Sequence, residues 1–440
     1  MTVASVLSLV LLLTGTTTSR RVFETLYEWN LINFDLPYGS FVPENNLFTG
    51  LEIYWDRIFL ALPNLKSGVP ATLAWLPRPD QPGAAFIGQS PALQPYPSLG
   101  WQGTAGNCSG LVSVYRMRID RCDRLWVLDS GVITTLDNFT PACPPKILVF
   151  DLKTDRLVRN IVLPKDVVRP NTLLTNLVID YEIVGGSRGD TYFGVPIPQE
   201  SCDDAFLYMT DTANAGIVVY DIRNDQSWRV FHPSMLPHPD YCTYHIAGEN
   251  FTLPDAIVGI ALSPETSSQH SLDPYGYRQQ RLLYFQPFAG IRLFSMPTSV
   301  LQTPPDIDTD LQIGVVFEKT SQSASLATDP NDGTIYFNPV TELALATLKP
   351  GSTQAQLIIQ DPDRLQFSSD ILVTPRDNYN VWFVSSKFQK FFRQTYDPHV
   401  INFRIMRIAQ THTPVLQTPI VQSLTTAAPQ TSYKNSLFFY

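Results

Sequence analysis

Six aromatic β-segments of one design recur along this chain at intervals of about 45 to 80 residues, and that recurrence limits what it can fold into. The sharpest copy is Arg-Cys-Asp-Arg-Leu-Trp-Val-Leu-Asp-Ser-Gly at 121–131. Its apolar β-formers at 125–128 lie between a polar start and an Asp-Ser-Gly exit, the pattern of a short buried strand with a turn at each end. Weaker copies centre on Phe59, Tyr208, Tyr284, Tyr336 and Trp382. Two stretches show the full unit. β-Runs at 111–119, 125–128, 144–151 and 157–164 are followed by the same order at 173–179, 205–209, 216–221 and 227–231. Four strands repeated six times predict an all-β chain folded as a six-bladed β-propeller.

A propeller removes its exposed edge by pairing a strand from one terminus with strands from the other. The last convincing strand is at 402–408, so residues 26–32 are expected to complete the blade that contains it, and the propeller spans 22–409. Ahead of it, residues 3–13 are apolar. That run is too short for a bilayer core of roughly 30 Å but has the length of a signal-peptide core, so 1–19 is expected to be a secretion signal. Residues 410–440 turn to Thr, Pro, Gln, Ser and Ala, bury little apolar surface and are expected to be a disordered tail.

The net charge of −9 comes without any basic cluster, which argues against nucleic acid and anionic membrane as partners. In a secreted chain the five cysteines can pair, with at least one left over. Strand direction selects the pairs. Cys108 precedes the inner strand at 111–119 and Cys122 follows it, so at about 3.3 Å per residue they stand roughly 30 Å apart and cannot bridge. The next strand returns toward Cys108 and leads to Cys143, and Cys122 and Cys202 occupy equivalent turns of adjacent blades. Cys108 with Cys143 and Cys122 with Cys202 are therefore expected, with Cys242 unpaired. Asn107-Cys108-Ser109, Asn138-Phe139-Thr140 and Asn250-Phe251-Thr252 are candidate glycosylation sequons.

The runs at 43–77 and 107–131, Cys-Pro-Pro-Lys-Ile-Leu-Val-Phe-Asp-Leu at 143–152 and Cys-Asp-Asp-Ala-Phe-Leu-Tyr-Met-Thr-Asp at 202–211 closely resemble the yellow and major royal jelly protein family of insects. Ile-Ala-Gly-Glu-Asn-Phe at 246–251 and Ile-Val-Gly-Ile-Ala-Leu-Ser-Pro at 257–264 extend the match to about residues 25–408. The resemblance implies the same six-bladed propeller. It also implies a secreted, extracellular protein of cuticle, eggshell, saliva or glandular food. Some members are credited with dopachrome conversion in melanin synthesis, and some salivary members bind biogenic amines in the central channel. Two departures stand out: many relatives carry a Cys-Trp pair where this chain has Thr347-Leu348, and a C-terminal Cys that is missing from this tail.

Inner strands line the axis of a propeller, and polar residues at their starts converge on it. Asn176, Asp255 and Asp370 fall at such starts on one rim, where a carboxylate can pair with an ammonium and aromatic rings can stack on a catechol or indole. By resemblance to the amine-binding relatives, Ser323, Tyr336, Phe337 and Asn338 occupy the ligand-contacting segment, although Pro339-Val340 stands where an aromatic would follow the Asn. The expected ligand is a small aromatic amine or catechol, with extracellular matrix components as further partners, in a pigmentation or matrix role. Two alternatives are a dopachrome-converting isomerase with Asp255 or Asp370 as base, and a purely structural eggshell or cuticle component. No cofactor and no metal are expected. A metal-dependent lactonase would combine Asn176 and Asp255 with a first-blade ligand, for which only Glu44, Asn46 and Thr49 are available. No Gly-x-Ser-x-Gly elbow occurs, and His232, His238 and His245 lie in one Pro-rich connection, so nucleophilic catalysis has little support.

Overall fold

The computed structural model describes residues 17–37, 39–80, 90–103, 107–181, 191–192, 195–196, 201–265, 281–306 and 308–414. Six antiparallel sheets follow one another along the chain as the blades of a propeller whose body is Phe23–Ala409. Blade 2 shows the unit: inner strand Val114–Ile119, second strand Arg124–Asp129, third strand Lys146–Asp151 and outer strand Arg156–Val162, each antiparallel to the next. The inner strands of the other blades are Gly50–Tyr54, Leu174–Tyr181, Ile257–Leu262, Leu326–Thr328 and Ile371–Thr374. Blade 1 adds Asn33–Phe34 in parallel to its outer strand Ala92–Pro95.

Blade 6 is composite. Ile371–Thr374, Asn380–Ser386 and Phe403–Pro414 are completed by Thr17–Trp29 from the other end of the chain, which covers the edge an open sheet would expose. The second unit is Met1–Val22 with Gln410–Tyr440. Strand residues reach Pro414, past the Gln410 boundary where the composition changes. The rest of the expected tail, 415–440, and residues 1–16 of the expected signal lie outside the described residues.

The recurrent aromatic segments are the second strands. A second strand sits between neighbouring blades on both faces, so it reads as a continuous apolar run, and every residue of Ala205–Asp211 and Asn380–Ser386 is buried. The outer strand Arg156–Val162 instead alternates between exposed and half-buried. A buried indole or phenol needs a partner for its polar tip. Trp126 Nε1 donates to Asp120 at 2.9 Å, Tyr208 Oη to Asp180 at 2.8 Å and Trp382 Nε1 to Asp377 at 2.7 Å. Each of these carboxylates is in turn held by an arginine: Arg124 at 2.6 Å, Arg281 at 2.7 Å and Arg78 at 2.7 Å respectively.

The Asp-Ser-Gly exit also has a mechanical reason. Asp129 accepts from the backbone N–H of Val112 and Ser113 at 2.8 Å each, so the end of the second strand fixes the start of the inner one. Asp211 does the same for Leu173 at 2.9 Å in blade 3. Gly131 has φ of +67°, and a Cβ there would lie 2.1 Å from the Cys143 carbonyl oxygen, so no other residue fits.

Cys108 is bonded to Cys143 with Cα atoms 5.5 Å apart, at the end of the propeller where inner strands start. Cys122 is bonded to Cys202 at the opposite end, with Cα atoms 6.2 Å apart, and Cys242 is free. The Cys122–Cys202 bridge closes a sequence separation of 80 residues. Replacing both cysteines by serine is expected to lower stability by about 4 kcal/mol through the freed unfolded chain. A urea midpoint unchanged by the double substitution would contradict this.

Candidate functional site

Inner-strand starts from all six blades surround one cavity of about 200 Å³. Thr49, Tyr115 with Arg116, Thr175, Asp255 with Val258, Ala324, and Phe367 with Ser369 represent blades 1 to 6 in order. One wall is aromatic. Phe288 meets Phe367 edge-on at 5.8 Å, and Phe367 stacks on Phe388 at 4.5 Å. Phe388 begins the short helix Phe388–Arg393, which is braced by the hairpin Thr243–Ile246 and Glu249–Thr252. Phe251 of that hairpin lies 5.5 Å from Phe388, and Glu249 holds Lys390 at 2.6 Å. A flat conjugated ligand fits such a wall by stacking.

Asp255 is the carboxyl of this cavity. Among the described residues its side chain makes no hydrogen bond and no ion pair, while its carbonyl accepts from Ala289 N–H at 2.9 Å. Burial among apolar groups penalises the charged form and pushes its pKa from 3.8 up to about 7. Across the cavity the Tyr115 hydroxyl shares a hydrogen bond of 3.0 Å with Thr135 Oγ1. Burial, with the Asp255 charge adding to it, raises the Tyr115 pKa, so the phenol stays protonated through the neutral range. The loop that carries Thr135 is anchored on blade 1, with Thr134 N–H donating to Asn64 O at 2.6 Å and Leu136 N–H to Leu65 O at 3.0 Å.

Arg116 is the cation on the wall, and it is already engaged. Its Nη1 lies 2.6 Å from Asp370 Oδ2 and its Nη2 donates to Ser369 O at 3.2 Å. Asp370 also takes Arg118 at 3.0 Å and the Leu51 N–H at 2.9 Å. Burial alone would raise the Asp370 carboxyl, but the two guanidiniums outweigh it and hold it below the usual carboxylate range. Asp370 is thus a saturated ion-pair centre beside the cavity and not on its surface.

Of the residues singled out from sequence, Asp255 lines the cavity and Thr49 joins it. Asn176 turns its amide to Val258 O at 3.0 Å and to Leu177 N–H at 2.9 Å. Asn338 is fully buried, donating to Ala344 O and accepting from Ser368 N–H at 2.7 Å each. Ser323 Oγ accepts from Asn338 N–H at 3.2 Å and donates to Ser325 O at 3.0 Å. Tyr336 and Phe337 lie in the second strand Ile335–Phe337, buried in the packing between blades. Asn46 donates to Val42 O at 2.7 Å. The Asn176, Asn338, Ser323 and Asn46 side chains thus bond backbone, and neither they nor Tyr336 and Phe337 line the cavity. Among the described residues no group of three His, Cys, Asp or Glu side chains gathers as a metal site.

Tyr115, Arg116 and the three phenylalanines escaped sequence reasoning. A signal existed for Arg116 alone: Val-Tyr-Arg-Met-Arg at 114–118 puts two arginines into an inner strand, which a packed blade tolerates only with a buried counter-charge. A wider cavity of about 450 Å³ opens at the opposite end, but Arg118 and Arg281 on its wall are tied to Asp370 and Asp180.

The sequence profile described as Major royal jelly protein matches residues 112–417. The chain belongs to the major royal jelly protein family. Within that family it is similar to a Drosophila melanogaster protein named dopaminechrome tautomerase, at 30% identity over 414 residues, covering 88% of this chain and 82% of that one. It is also similar to proteins named yellow from Drosophila erecta and Drosophila yakuba, each 31% identical over 399 residues, covering 86% of this chain and 67% of theirs. The family match takes in the cavity residues of blades 2 to 6, Asp255 and Tyr115 among them.

Proposed function

We propose that this protein is a tautomerase of aminochrome-type indoline quinones, with Asp255 as its base. The observation that carries the reading is a carboxyl without a counter-ion among the described residues, poised near neutrality in an aromatic cavity on the propeller axis. Tautomerisation needs no oxidant. Asp255 takes a proton from the saturated ring carbon, the electron pair moves through the conjugated ring to the quinone oxygen, and that oxygen gains a proton. Tyr115, whose hydroxyl shares a hydrogen bond with Thr135 Oγ1, is the group that would donate an O–H to the developing oxyanion. The similarity to a protein named dopaminechrome tautomerase supports the same substrate class. The test is the loss of dopaminechrome absorbance with purified protein: a rate equal to that of buffer would end this reading.

A second reading rests on the same cavity. The Asp255 carboxylate facing a wall of three phenylalanines also suits retention of a catechol or indole amine, with the ammonium on the carboxylate and the ring on the wall. Calorimetry with dopamine and serotonin is expected to show saturable heat that Asp255→Asn removes; no heat at millimolar ligand would exclude it. Two disulfides support an oxidising, extracellular setting, and the proteins named yellow among the relatives support a role in pigmentation or matrix.

A further inference from the structure

Most polar side chains around the Asp255 cavity are already committed to the protein itself. Thr49 Oγ1 donates to Tyr115 O at 2.9 Å and Ser369 Oγ to Phe48 O at 2.8 Å. Thr212 Oγ1 gives its hydrogen to Ile257 O at 3.0 Å, so in its 2.5 Å contact with Thr175 Oγ1 it is Thr175 that donates. Arg116, the cation among the described lining residues, has a side chain only 3% exposed, with Nη1 on Asp370 and Nη2 on Ser369 O. It is closed off from a ligand carboxylate, and the Asp255 carboxyl is shifted by burial alone.

Two side-chain groups are left to meet a ligand among the described residues. Tyr115 Oη and Thr135 Oγ1 hold two hydrogens for the one bond between them, which leaves one O–H to give. The Asp255 carboxyl has no side-chain partner. Leu65, Leu253 and Val258 continue the apolar lining beside the phenylalanine wall. The cavity thus offers a ligand one hydroxyl and one negative charge.

We propose that this cavity selects its ligands by charge: it admits indoline quinones whose saturated ring carries no acid group and excludes those with a carboxylate on that ring, and Asp255 is the residue that excludes them. That the ligands are indoline quinones rests on the tautomerase reading; the exclusion of a carboxylate rests on the side chains around the cavity. With one ring carbon beside Asp255, a carboxylate on the adjoining carbon stands about 5 Å from the Asp255 carboxylate, where two like charges in a protein cavity disfavour binding on the order of 100-fold. Arg116 cannot offset this, because its charge is already held by Asp370. A protein built this way draws on catechols that have lost their carboxyl before oxidation and ring closure, so a decarboxylation must precede the supply of its substrate.

Anaerobic calorimetry with the full chain at pH 8, where Asp255 is charged, tests this with three probes. They are dihydroxyindole, the dihydroxyindole carboxylate with its acid group beside the ring nitrogen, and the methyl ester of that acid, which matches it in size but lacks its charge. Wild type is expected to bind dihydroxyindole and the ester within about tenfold of each other, and the carboxylate on the order of 100-fold more weakly. Asp255→Asn is expected to bring the carboxylate within about tenfold of the ester, while an unchanged ester affinity shows the cavity intact. A wild-type protein that binds the carboxylate as tightly as the ester overturns the selectivity, as does a gap that survives Asp255→Asn or a failure to bind the ester at all. If the affinity order holds while dopaminechrome is consumed no faster than in buffer, the selectivity stands and the tautomerase reading alone falls.

Discussion

Asp255→Asn is expected to abolish conversion of dopaminechrome and, in the same protein, to raise thermal stability at neutral pH. Loss of a positioned base costs about 10²- to 10⁴-fold in rate. The stability gain follows from linkage. The folded Asp255 has a pKa of about 7, above its ordinary 3.8, because burial favours the neutral form. The folded state therefore holds a proton that the unfolded chain releases. Stability from this group is fully present below the ordinary value, declines as pH rises and is gone above about 7, a difference on the order of a few kcal/mol. An amide does not titrate, so the variant escapes the decline, and the gap between the two proteins should be widest above pH 7. Over the same interval the wild-type rate should climb with pH as the base loses its proton. A variant that keeps its activity would remove Asp255 from the chemistry, and one that melts with wild type at pH 8 would contradict the burial argument.

Asp370→Asn is expected to cost about 3–5 kcal/mol, because it leaves the Arg116 and Arg118 guanidiniums buried without their counter-charge. Arg116 is 3% exposed and the Asp370 side chain 2%, so water cannot replace the carboxylate cheaply. The same carboxylate accepts from Leu51 N–H, so the loss also loosens the inner strand of blade 1 against blade 6. Adding Arg116→Met should recover part of the loss, since it withdraws one of the stranded charges. Thermal unfolding of the single and double variants decides the matter. A single variant within about 0.5 kcal/mol of wild type would mean that the triad is not the electrostatic keystone of the axis.

The blade count and the closure were legible because both are written in patterns longer than a strand. Leu-Trp-Val-Leu in 125–128 and Val-Trp-Phe-Val in 381–384 are each apolar throughout, as a strand flanked on both faces must be, and the repeat spacing counts them. Asp255 was legible as a polar residue at an inner-strand start. Asp370 has the same residue type in the same register, yet among the described residues one carboxyl has no side-chain partner and the other is saturated. What separates them is Arg116 and Arg118 on blade 2, more than 250 positions away in the chain. Charge compensation of that kind depends on which blades meet, not on any local pattern. The aromatic wall was hidden for a related reason: Phe288 and Phe388 belong to connections outside the four-strand repeat, so their register cannot be extrapolated from it.

The composite sixth blade sets a timetable for synthesis. Glu28 on the first strand is bonded to Arg404, 376 positions later, and Glu24 to Arg407, 383 positions later. At about 5–20 residues per second, the first strand waits roughly 20 to 75 s for its partner to emerge. During that wait the growing chain has an unpaired strand at its head and a raw sheet edge at its tail, both able to join another chain. The ring acquires its final sheet only when the last strand arrives, so a ribosome that stops before codon 403 releases a product that is neither closed nor safely open.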